Sequence, residues 1–184
     1  MKAFLKNSLI AVSLAIAAAP AAYAQNPTVG GAQMPSNRNI VENASNSPIH
    51  KTLVAAVKQA GLVDTLASPG PFTVFAPTDD AFAKLPAGTV ETLMKPENKA
   101  QLTKILTAHV VAGDMSAGQI LKRANDNGGS YKMKTVSGDT ITAMPEGPGL
   151  ALMDESGGKA VITIPDVDQS NGVIHVIDSV LLPK

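Results

Sequence analysis

Three histidines, one serine flanked by glycines and several closely spaced aspartates are the residues of this 184-residue chain whose types could do chemistry. His50, His109 and His175 are candidates for proton transfer or metal ligation, because imidazole titrates near neutral pH and binds metals through either ring nitrogen. Their spacing is too wide for a local metal motif. His175 sits among valines and isoleucines, and His109 ends an amphipathic stretch, so both read as buried, hydrogen-bonded structural residues. A nucleophile elbow needs Gly-x-Ser-x-Gly to hold its serine on a strained turn, and Gly113-Asp114-Met115-Ser116-Ala117-Gly118 has one residue too many. Ser116 reads instead as a helix cap. Asp79-Asp80 could act as paired acids, yet adjacent carboxylates at a helix start are ordinarily satisfied by the helix dipole.

Asp166, Asp168, Ser170 and Asn171 space their oxygens somewhat like a calcium loop. Such a loop needs glycine at its sixth position and glutamate at its twelfth, where this chain has Asn171 and Ile177, so the segment reads as a solvated loop. Gly158-Lys159 lacks the preceding glycine at the G-x-x-x-x-G-K spacing, and the Ser or Thr after it, that a phosphate-binding loop requires. Asn43-Ala44-Ser45 fits a glycosylation acceptor. These residues assign no catalytic, metal or cofactor site, and the chain is expected not to be an enzyme.

Composition narrows the classes further. Lys2 and Lys6 precede an apolar run from Leu9 to Ala19, and Ala22-Tyr23-Ala24 offers a cleavage site, so residues 1–24 read as a signal peptide cut near Ala24. The expected location is secreted or periplasmic. The apolar run is shorter than the about 20 residues of a membrane span, and no later segment approaches that length. Removing the leader takes two lysines and no acid from the 15 basic and 15 acidic side chains, leaving the remainder slightly acidic. A slightly acidic chain with only Arg38 and Arg123 as guanidinium groups is a poor nucleic-acid binder. Zero cysteines exclude disulfides and thiolate zinc sites, so stability must come from packing.

The elements that would position these residues follow from periodicity. Gln25–Arg38 is rich in Gly, Pro, Asn and Gln without an apolar pattern and suits a flexible lead-in. Leu53, Val54, Val57 and Ala60 mark a helix stopped by Gly61, and Leu102, Ile105 and Leu106 mark another ending near His109. Ser116 to Arg123 is a third. Beyond Asn125, YKMKTV and DTITAM read as a hairpin, ALMDESGGKAVITI as a second, and GVIHVIDSVLL as a strand covered on both faces. Helices early and strands late indicate an α+β fold. In PFTVFAPTDDAFAKLP, Phe72 and Val74 face one side of a strand and Phe75 the other. Pro77 ends that strand, Thr78 caps the next helix, and Phe82 turns the helix onto the same core.

FTVFAPTDDAF resembles the first signature of the fasciclin domain, and NGVIHVIDSVLLP, Asn171 to Pro183, resembles the second, with HVVAG from His109 between them. The likeness covers residues 39–184. Its structural signature falls on Phe72, Phe75, Pro77, Thr78 and Phe82, then on Asn171, Gly172, His175 and Asp178. The resemblance implies a wedge-shaped β-sandwich of about seven strands with several helices packed along it, and an adhesion or matrix-interaction role outside the cytoplasm. Family members often carry Tyr before the middle His, where Ala108 stands here, and an Asp-Ile pair implicated in receptor binding in animal members corresponds to Asp166-Val167. By resemblance, Asp166, Val167 and His109 are the partner-binding candidates, and integrin recognition is not carried over. The expected partner is a protein or surface polymer, with self-association possible. The alternative function is periplasmic binding of a small ligand or polymer, in a groove lined by methionines such as Met94, Met115, Met133, Met144 and Met153.

Overall fold

The computed structural model describes residues 26–183. The expected leader, residues 1–24, lies outside them. Asn39 and Glu42 form a reciprocal capping box that starts α1, Ile40–Asn46. Leu53, Ala56, Val57 and Ala60 then bury one face of α2, Lys51–Ala60, and Gly61 ends it at a left-handed φ of 73°. That reversal makes α3, Val63–Ala67, a separate helix. Strand β1, Phe72–Pro77, runs into α4, Asp79–Ala83, whose first turn is capped by the Thr78 hydroxyl accepting from Ala81 N–H. Short α5, Thr89–Leu93, and a 3-10 turn at Pro96–Asn98 lead to α6, Lys99–Ala108.

After α6 the chain adds β2, Val110–Ala112, a strand too short to read from periodicity. Helix α7, Ala117–Asp126, starts at Ser116 with a second capping box, completed by Gln119, in agreement with the capping role expected of that serine. The remaining strands are β3, Tyr131–Lys134, β4, Thr140–Glu146, β5, Gly149–Met153, β6, Lys159–Gln169, and β7, Gly172–Ile177. All seven strands form one sheet in the order β2-β1-β7-β6-β5-β4-β3. Every pairing is antiparallel except β1 with β7. A bridge between Val111 and Thr135 joins the two ends, so the sheet nearly closes on itself.

Two apolar cores result. Phe75, Ile120, Met133, Leu152, Ile177 and their neighbours fill the space enclosed by the sheet and α7. Val74, Ala76, Phe82, Leu106, Ile174 and Val176 belong to the second core, between the sheet and the early helices. Strand β1 therefore feeds both, Val74 on one side and Phe75 on the other, as its alternation requires. Phe75 is 0% exposed and lies opposite His175 in the β1–β7 register, their rings stacked 5.6 Å apart.

Two expectations are corrected. The Gln25–Arg38 lead-in is docked, not flexible, from Asn26 onward: Val29 and Met34 are buried in the helix-side core, and the Asn26 amide donates to Met34 and Asp168 carbonyls. Two apolar anchors suffice because Gly30 and Gly31, at φ 59° and 83°, let Val29 and Ala32 pair across a tight turn. The Asp166–Asn171 segment is not a solvated loop through most of its length. Strand β6 continues to Gln169 through two register shifts, one between Ile162 and Ile164 and one between Ile164 and Val167. These bulges break the alternation that periodicity relies on.

Truncating the ring that both layers depend on should be costly. Phe75→Ala is expected to lower unfolding free energy by about 3–5 kcal/mol, whereas Val136→Ala, at a 47% exposed position, should change it by less than about 0.5 kcal/mol. Urea titration followed by circular dichroism measures both.

Candidate functional site

The partner-binding candidates converge on the place where β6, β7 and α7 meet. Asp166 is the one described non-glycine residue at positive φ, 53°, a left-handed conformation that costs energy for a residue bearing a Cβ. It occupies the second bulge of β6. Its carboxylate accepts from Ala117 N–H at 2.7 Å, which satisfies an N-terminal donor of α7. Its backbone N–H donates to His175 Nδ1 at 3.1 Å. Nδ1 therefore acts as acceptor, Nε2 carries the proton, and Nε2 donates to the Met115 carbonyl at 2.9 Å. His175 is thus a neutral imidazole with both nitrogens engaged, linking β7, β6 and the entry to α7.

The electrostatics follow from burial. Desolvation holds His175 below its ordinary value, against a backbone bond to Met115 and the nearby carboxylates of Asp166, Asp114 and Asp168. Asp168 is pushed upward, first by burial and then by Asp114 and Asp166. None of the ion pairs among the described residues joins a lysine or arginine to these three aspartates.

His109 and Val167 do not share a surface with Asp166. They are 2% and 1% exposed, which corrects the expectation that either touches a partner directly. His109 works inside the fold: Leu181 N–H donates to its Nε2 at 3.0 Å, so Nδ1–H donates to the Ile105 carbonyl at 2.8 Å. The imidazole thereby ties the end of α6 to the C-terminal segment. Burial drives its pKa down to about 4, opposed by the Ile105 bond and by Asp154. Asp166, at 44% side-chain exposure, is the candidate a partner can reach.

The remaining signature residues position this site. Asn171 accepts from Ile40 N–H at 3.1 Å and donates to the Leu66 and Ser68 carbonyls at 2.8 Å each, holding α1 and the end of α3 to the β6–β7 turn. A Cβ on Gly172 would collide with the Phe72 backbone, so the β1–β7 approach needs glycine there. Asp178 accepts from Val161 N–H at 2.8 Å and pairs with Lys84 at 3.3 Å. Burial raises its carboxyl, and these bonds outweigh that and leave it below its ordinary value.

The other chemically suggestive residues are spent on structure. Asp79 accepts from Thr52 N–H at 2.8 Å and Lys51 N–H at 3.4 Å, capping α2 rather than forming an acid pair with Asp80. Asn43 is 0% exposed and donates to Pro35 and Gln169, so the folded chain cannot present it for glycosylation. The methionines are dispersed: Met115 and Met133 fill the enclosed core, Met94 borders the helical one, and Met144 and Met153 lie on half-buried strand positions. Periodicity overlooked Asp154, which gathers Ser156 and Gly158 N–H groups on Oδ1 and Leu182 N–H on Oδ2. The signal was local, since Asp-Glu-Ser-Gly is an Asx-turn sequence.

Buried neutral imidazoles imply an acid-labile fold. His50 is also held below its usual value, chiefly by burial. Below pH 6.5 the unfolded chain binds protons that the folded one refuses, so stability should be flat above that value and fall as pH drops toward about 4. Urea midpoints measured across that range test this. His109→Gln should flatten part of the slope, even where it lowers stability at neutral pH.

Comparison with known proteins places this geometry. The Fasciclin domain profile matches residues 48–183. Protein sll1483 of Synechocystis is 46% identical over 159 residues, covering 86% of this chain and 81% of that one. Immunogenic protein MPB70 of Mycobacterium bovis is 38% identical over 166 residues, covering 87% and 77%. Cell surface glycolipoprotein MPB83 of the same species is 37% identical over 170 residues, covering 87% and 68%. Among solved structures, a FAS1 domain pair from the insect cell adhesion molecule Fasciclin I shares the fold, with a TM-score of 0.70 and 22% identity. That match spans 79% of this chain and 51% of the insect one. The nearly closed seven-stranded sheet, the matched profile and the relatives agree: the chain belongs to the fasciclin domain family.

Proposed function

We propose that this chain is a non-enzymatic interaction module, secreted or periplasmic, that attaches cells to surfaces, to matrix or to one another. The observation that carries the reading is family membership, with relatives named as a cell surface glycolipoprotein and a cell adhesion molecule. The site geometry supports it from another direction. His109 and His175 have both nitrogens bound inside the fold, Ser116 caps α7 and Asp79 caps α2, so these four groups already have structural work. Among the described residues, no helix is long and apolar enough to cross a membrane.

A ligand-binding reading draws on an apolar crevice beneath α1, α2 and α3, bordered by Val41, Val54, Val57, Leu66, Val74 and Ile174. Its volume is about 30 Å³, far below the several hundred cubic ångströms that enclose a drug-sized molecule. This crevice is therefore too small to enclose such a ligand.

Deleting the gene is expected to reduce surface attachment or biofilm mass, and adding back the secreted domain to restore it. Attachment that stays unchanged in the deletion strain would overturn the adhesion reading. A thermal-shift screen with small metabolites should stay flat, and a saturable rise in Tm would favour ligand binding instead.

A further inference from the structure

A cleft of about 340 Å³ opens beside Asp166. Strands β5 and β6 pair from Ala151–Val161 to Met153–Lys159, and beyond Val161 no further pairing joins them. The gap lies between Gly149 and Leu150 on β5 and Ile162 to Pro165 on β6, and the first turn of α7 closes its third side. This volume falls within the range of about 300–1,000 Å³ found for binding clefts.

Three features define what would fit. Gly118 sits in the helical wall, where an added Cβ would meet nothing nearer than the Ser116 hydroxyl at 4.0 Å. No packing demand selects glycine there, and a helix is weakened by it, so its effect is to keep the wall low. Pro148 and Pro165 stand on facing walls and have no N–H, so the cleft is poorly made for adding a strand and better made for receiving an apolar side chain. Asp166 follows Pro165 in the chain and accepts from Ala117 N–H at the cleft wall, and Asp168 lies close enough to Asp166 and Asp114 to feel both charges; none of the three has a lysine or arginine ion-pair partner among the described residues. The mutual crowding of these carboxylates shows in Asp168, which burial and then its two acidic neighbours hold above its ordinary value.

We propose that this cleft docks a segment of a partner protein that inserts an apolar side chain between α7 and β6 and places a basic side chain against Asp114, Asp166 and Asp168. The inference rests on the reading of the chain as an interaction module and specifies the chemistry of what it binds. An apolar slot alone would accept many segments; the adjoining negative charge selects those with Lys or Arg next to the anchor and speeds their encounter.

The test uses the secreted domain, isotopically labelled, and capped synthetic peptides of alternating leucine and arginine or of leucine and glutamate. The leucine–arginine peptide should shift the amide signals of Gly118, Leu121, Gly149 and Thr163 saturably, and the leucine–glutamate peptide should not. Gly118→Leu should fold with unchanged or higher Tm and lose those shifts. Asp114→Asn combined with Asp168→Asn should weaken binding roughly three- to tenfold at low salt, with the difference shrinking as salt is added. Equal binding of both peptides, full binding by Gly118→Leu, or shifts confined to another face would each overturn the proposal. In cells, Gly118→Leu domain that restores attachment as well as the parent overturns the cleft and leaves the attachment reading standing. Peptide binding that follows this pattern, in a strain whose attachment ignores gene deletion, upholds the cleft and removes that reading.

Discussion

The parallel register between Phe72–Pro77 and Gly172–Ile177 joins a strand near the start of the fold to the last one in it. The other layers are arranged around this pair. It sets Phe75 against His175, brings the helical core onto Val74, Ala76, Ile174 and Val176, and leaves β2 and β6 to extend the sheet on either side. The contact begins where Gly172 passes over the Phe72 backbone, and Asn171 locks the same corner to α1 and α3 with three hydrogen bonds. Loop closure over most of the domain is entropically unfavourable, and β7, buried at all of its positions, helps to offset that cost.

Polar residues inside the fold serve as connectors between layers. His175 joins β7, β6 and the start of α7, and His109 joins α6 to the C-terminal segment. Asp154 performs the same task from the β5–β6 turn. A chain without cysteine has no covalent cross-links, and these bonds bridge segments that apolar contact alone would leave free to slide. Each is paired inside the protein, which is the condition under which a buried polar group stabilises rather than costs.

The parts of the fold legible in the sequence were those with local causes. Thr78 and Ser116 cap helices because hydroxyls accept from exposed N–H groups, Gly61 ends a helix because it tolerates positive φ, and the both-sided burial of β1 follows from strand alternation. What periodicity missed depends on distant contacts. The parallel β1–β7 pairing has no local signature, and the bulges near Ile164 hid the continuation of β6. The lead-in looked polar because its two anchors, Val29 and Met34, are outnumbered by turn residues. For the site, family likeness pointed to Asp166, whereas the burial of Val167 and His109 is a property of the assembled sheet.

The Val111–Thr135 bridge has a colloidal consequence. The outermost strands, β2 and β3, are only three and four residues long, and this bridge holds them to each other. Neither offers a neighbouring molecule a long row of idle amide and carbonyl groups on which to grow a ribbon. Crowded copies of this domain therefore find little at these two strands on which to join edge to edge.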